Sequence, residues 1–122
     1  MSDIFDTIAK IHQQPGMYLG TSSVTVLRHF LVGYKFARQE IGILPTEPEL
    51  DFYREFQPWL QNCLHVQTVQ SWDKIILIKC ADEKTAFDFF FKLLEEFRNR
   101  DLNQSIDSAK LNSSTEITRK VA

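Results

Sequence analysis

The chain has 122 residues, of which 43% are hydrophobic and 25% charged. That size suits one domain, and the apolar fraction excludes a chain too polar to bury a core. Fourteen Lys and Arg against sixteen Asp and Glu leave a net charge of -2, without the basic surplus by which phosphate-neutralising proteins hold nucleic acid or anionic membranes.

The first residues lack the basic start and long apolar stretch of a signal peptide, and no apolar run approaches the ~20 residues that span a bilayer. The expectation is a cytoplasmic protein with no membrane partner. Ser2 is placed to cap a first helix, whose apolar positions Ile4, Phe5, Ile8 and Ile11 fall on one face. Pro15 ends it, because proline cannot continue the hydrogen-bond ladder. In the loop Pro15-Gly16-Met17-Tyr18-Leu19-Gly20, the two glycines are expected to turn the chain while Met17, Tyr18 and Leu19 fold back as an apolar plug. On that reading Gly16→Val costs stability.

Thr21, Ser22 and Ser23 offer caps for a second helix carrying Leu27, Phe30, Leu31, Tyr34, Ala37 and Ile41 at helical spacing. Gly33 inside it points to close packing by another element, and Gly42 with Pro45 stops it. Thr46 and Glu49 form a capping box around Pro48. The helix they open carries Phe52, Tyr53 and Phe56, and Pro58 is expected to kink or restart it before Trp59, Leu60, Cys63 and Leu64.

The stretch from 66 to 80 reads two ways. Ile75-Ile76-Leu77-Ile78 has the β-branching of a short strand or hairpin, whereas Ser71 as cap with Trp72, Ile75 and Ile76 at helical spacing favours a helix. A lone hairpin is marginal in water, so helix is preferred. Asp82 caps a last helix, in which Ala86, Phe87, Phe89, Phe90, Phe91, Leu93, Leu94 and Phe97 cover an arc of about 200° at ~100° per residue. From Asp101 aromatic residues stop and polar ones take over, the composition of a flexible tail. The fold class is therefore mainly α: one helical domain of about five helices over 1–100, with the tail at 101–122.

The Pro15–Gly20 loop resembles the Arg-Pro-Gly-Met-Tyr-Ile-Gly segment of gyrase B-type ATPases. In that family the next helix brings a water-activating glutamate and a magnesium-binding asparagine. Here that helix has no asparagine, and its one carboxylate, Glu40, lies near its end. The family's adenine site and glycine-rich lid are missing too. Leu27, Phe30, Gly33 and Tyr34, followed by Ser71, Trp72, Ile75 and Ile76, make the chain similar from about Ile4 to Phe97 to small uncharacterised bacterial proteins. That resemblance implies an immunity or accessory role beside a toxin system.

No catalytic constellation emerges. Cys63 and Cys80 read as core thiols, and a Cys63–His65 pair has no second ligand pair to complete a zinc site. Asp82-Glu83 and Glu95-Glu96 read as capping and solvated charge. No metal and no cofactor are expected. Two function classes follow. The first is a non-enzymatic protein-interaction module, binding another protein or itself through the surplus aromatic surface of Phe87, Phe89 and Phe91. The second is a small-ligand or nucleotide-binding protein, with Tyr18, Arg28 and His29 lining a pocket beside the loop.

Overall fold

The structure, a computed structural model, describes residues 3–100. They form six helices: α1 (Ile4–Gln13), α2 (Pro15–Leu19), α3 (Val24–Glu40), α4 (Glu47–Leu64), α5 (Trp72–Lys79) and α6 (Glu83–Arg98). The mainly α reading holds, and no strand occurs among the described residues. The sixth helix comes from the Pro15–Gly20 segment, expected as a loop, which is itself one helical turn with Pro15 in its first position. Proline needs no donor there and its fixed φ suits the helix. The tail at 101–122 and the Ser2 cap lie outside the described residues. Asp3 occupies the cap of α1, where its side chain accepts from the Asp6 N–H and Asp6 returns a bond to the Asp3 N–H.

Within the ambiguous stretch, Trp72–Lys79 is helix, and 66–71 connects it to α4 without regular structure. Ile75 and Ile76 of α5 are both fully buried while Ile78 is exposed. Their β-branching weakens helix preference only slightly, and burial of two isoleucines outweighs it. Helix α4 continues through Pro58 without ending. The carbonyl of Arg54, four residues back, is the one that loses its partner. Arg54 and Pro58 are both exposed, so water can satisfy it. Gly33 does not mark a close approach, since a Cβ built there would meet nothing within 4 Å.

Helix α6 lies against α3, α4 and α5, and the core is an aromatic cluster at that junction. Phe56 of α4 meets Phe90 edge-on at 5.8 Å and Phe97 at 5.3 Å, and Trp72 of α5 stacks on Phe90 at 4.8 Å. Such rings contribute through buried area and through edge-to-face geometry. Phe90 is fully buried, so Phe90→Ala is expected to cost about 3–5 kcal/mol. The wide aromatic arc of α6 is used on both flanks. On the α1 side, Phe91 stacks on His12 with centroids 3.9 Å apart and planes 6° from parallel. Phe89 packs half-buried against the cluster. No described helix is long and apolar enough to cross a membrane.

Candidate functional site

Two carboxylates of the bundle cap helices other than their own. Glu49, fully buried in the first turn of α4, accepts from the Thr46 N–H through Oε1 (2.8 Å) and from the Ile4 N–H through Oε2 (2.7 Å). The second bond satisfies the first orphan donor of α1, and Arg38 of α3 stands 3.7 Å from the same oxygen. Glu83, opening α6, does the same for α3. It accepts from the Thr25 N–H (3.1 Å), the Thr25 hydroxyl (2.7 Å) and the Ser23 hydroxyl (2.8 Å). Burial works against its ionisation, but the bonds from Thr25 and Ser23 outweigh it and hold the carboxyl below the usual glutamate value. These carboxylates are committed to the frame.

A third buried carboxylate is less fully engaged. Asp73 sits in the first turn of α5 with no exposure. Its Oδ1 accepts from the Ser71 hydroxyl and lies 3.5 Å from Arg28 Nε. Its Oδ2 is buried with no hydrogen-bond partner among the described residues. Arg28, Leu31, Val32 and Lys35 follow helical spacing along one face of α3, and that face borders a cavity of about 230 Å³. Ile4 of α1, Phe52 and Tyr53 of α4, and Ser71 with Trp72 at the start of α5 complete its wall with Gln57. Lys35 Nζ stands 4.4 Å over the Tyr53 ring. The Tyr53 hydroxyl has its pKa pushed up to about 12, by burial first and next by the charge of Glu49, against the opposing pull of Arg38.

Of the expected ligand residues, only Arg28 reaches this wall. Tyr18 is half-buried on α2 against the core, and exposed His29 spends Nδ1 on the Thr25 carbonyl at 2.9 Å. Arg28 and His29 are neighbours on a helix and so point about 100° apart. Tyr18 and His29 therefore do not join Arg28 around one cavity. The Pro15–Gly20 segment is no plug either: Met17 is 72% exposed, and only Tyr18 and Leu19 pack inward.

The three expected partner-face residues differ in exposure. Phe87 is 2% exposed and could touch a partner only by opening the core. Phe89 and Phe91 are both half-buried, and Phe91 stacks on His12. Among the described residues, four of the eight large exposed apolar side chains, Val32 (49%), Phe36 (61%), Ile41 (72%) and Leu44 (84%), fall on the second half of α3 and the turn after it, and the other four are Met17, Val26, Val69 and Ile78. Sequence reasoning missed Lys35, Tyr53 and Trp72 as neighbours around one cavity, and Asp73 as the buried partner of Arg28, because each looks locally like ordinary helix surface or core.

Cys63 is exposed, which corrects its reading as a core thiol, and Cys80 is half-buried. Neither thiol is activated. Partial burial and then the charge of Glu96 raise the Cys63 pKa, and burial and then Asp82 raise that of Cys80. Among the described residues, no group of three His, Cys, Asp or Glu side chains is arranged to hold a metal.

Comparisons with protein-family models, with curated proteins and with solved structures found no match for this chain.

Proposed function

We propose that this domain is a non-enzymatic protein-interaction module, acting in the cytoplasm in an immunity- or antitoxin-like role. Its docking face is the outer side of α3 with the turn that follows. The carrying observation is the apolar series Val32, Phe36, Ile41 and Leu44, left exposed by a bundle that buries Phe87, Phe90 and Phe97 almost completely. Val32 and Phe36 are one helical turn apart. The turn presenting Ile41 and Leu44 is fixed by Gly42 at φ 81°, with the Ile43 N–H on the Arg38 carbonyl (2.9 Å) and the Gly42 N–H on the Gln39 carbonyl (3.1 Å). A rigid apolar presentation of this kind lowers the ordering cost of binding.

Charge favours a different protein over a second copy. Of the cations on α3, Arg28 and Arg38 face Asp73 and Glu49 of other helices, and Lys35 lies next to Phe36 with no carboxylate in an ion pair with it among the described residues. A two-fold dimer on this face would set Lys35 against Lys35 of the second copy, whereas a partner with a carboxylate beside an apolar patch complements it. The test places photoreactive p-benzoylphenylalanine at Phe36 and, as control, at Asp88 on exposed α6 surface. A single discrete adduct with an acidic protein from position 36 alone supports the proposal. Adducts from both positions, or an adduct of twice the chain mass, refute it.

A further inference from the structure

We infer that the cavity between α3, α4 and the start of α5 is a binding site for a small organic carboxylate with an apolar body. This rests on the cavity alone and stands whether or not α3 docks a protein. The cavity holds about 230 Å³, room for a small acid and too little for a nucleotide.

The chemistry of the wall selects the ligand. Ile4, Leu31 and Phe52 supply apolar surface. The polar members are mostly donors with capacity to spare. Arg28 engages Asp73 through Nε, and neither Nη is hydrogen-bonded to another described residue. Lys35 Nζ rests over the Tyr53 ring and has no carboxylate partner among the described residues. Tyr53, with its pKa raised to about 12, keeps its phenolic proton at neutral pH and remains a donor.

Asp73 is the one carboxylate paired with this wall. It neutralises one of the two cations, leaving one positive charge over. Its contact is with Nε, and the terminal nitrogens of a guanidinium are the fork that binds a carboxylate in two parallel bonds. A carboxylate between Arg28 and Lys35, with its apolar part toward Leu31 and Phe52, would use both halves of the wall. A neutral ligand would leave that one positive charge without a counter-charge.

The test titrates the full chain with hydrocinnamate, with hydrocinnamyl alcohol and with inorganic phosphate, following backbone amides and the Trp72 indole N–H by NMR. Hydrocinnamate is expected to shift the Trp72 indole and the Ser71 amide saturably in the millimolar range. The alcohol and phosphate are each expected to bind at least about tenfold more weakly, one lacking the charge and the other the apolar body. Lys35→Gln, on a half-exposed side chain, should weaken hydrocinnamate about tenfold with unchanged melting, as loss of one charge-assisted hydrogen bond would. Arg28→Gln combined with Asp73→Asn removes the fork without stranding a buried charge and should do the same. No saturable shift, equal affinity for the alcohol or phosphate, or hydrocinnamate affinity untouched in both folded variants would overturn the inference.

Discussion

Glu49 and Ile4 lie 45 positions apart in sequence, and a 2.7 Å hydrogen bond from the Ile4 N–H to Glu49 Oε2 makes one buried carboxylate the cap of two helices. Local capping rules see only half of this arrangement. Removing Glu49 takes the acceptor from the Ile4 and Thr46 N–H groups and takes from Arg38, only 14% exposed, the carboxylate 3.7 Å away. Glu49→Ala is expected to cost about 3 kcal/mol. Asp3→Ala, which removes a local cap alone, should cost about 1 kcal/mol. Urea denaturation of both variants checks the order. Equal costs would mean that the bond between helices adds nothing to the local box.

Glu83 makes a pH prediction. Its carboxyl lies below the ordinary glutamate value of 4.5 in the folded protein because of Thr25 and Ser23. The stability it contributes is therefore fully present above pH 4.5 and is lost as pH falls through the lower, folded value. Glu83→Gln should be less stable than the parent at neutral pH, and the difference should shrink in acid below pH 4.5. A difference that stays constant across that range in thermal melts would show that the carboxylate charge is not what the Thr25 and Ser23 groups hold.

Tyr53 acts at the other end of the scale. Its folded pKa of about 12 exceeds the ordinary value of 10.0, so it favours the fold fully below pH 10 and loses that contribution as pH rises from 10 to 12. Tyr53→Phe should remove this part of the alkaline decline. Ultraviolet titration of phenolate absorbance should also show one tyrosine titrating late in the parent, and earlier in Glu49→Gln, since the charge of Glu49 is the second cause of the shift. An unmoved titration in Glu49→Gln would contradict that assignment.

The two glycines bounding the Pro15–Gly20 turn are expected to behave oppositely. Gly20 holds φ 78° and ends α2 with its N–H on the Gly16 carbonyl at 3.0 Å, so Gly20→Ala should cost about 1 kcal/mol or more. Gly16 lies within the helix with nothing within 4 Å of an added Cβ. Gly16→Ala should therefore stabilise by about 0.4–1 kcal/mol. The expected cost of Gly16→Val rested on a special backbone torsion, and Gly16, unlike Gly20, has no positive φ. Differential scanning calorimetry of the pair decides it.

Much of the frame was legible because its signals are local. The box of Thr46 with Glu49, the cap at Ser23, the cap at Asp82 and the periodicity of α3 and α6 each need only a few neighbouring residues. The site was not legible for the converse reason. Asp73 in a first helical turn reads as a solvated dipole partner, and only its meeting with Arg28 across the bundle reveals a buried pair. Phe87 misled because an aromatic run does not say which of its members the fold will cover. Val32 and Phe36 looked like parts of an ordinary helix until α3 proved to be covered on one side.

The central claim is that the exposed side of α3 serves a partner and not the fold. The most direct measurement places the photoreactive residue at Leu44 and compares crosslinking and thermal stability with and without Phe36→Asp. Phe36 is 61% exposed, so its loss should change stability by no more than about 0.5 kcal/mol. It should nonetheless abolish the adduct formed from position 44, because a charge would then sit at the centre of the apolar face. An adduct that persists at full yield, or a melting temperature that falls sharply, would show that Phe36 is framework and that the docking face lies elsewhere.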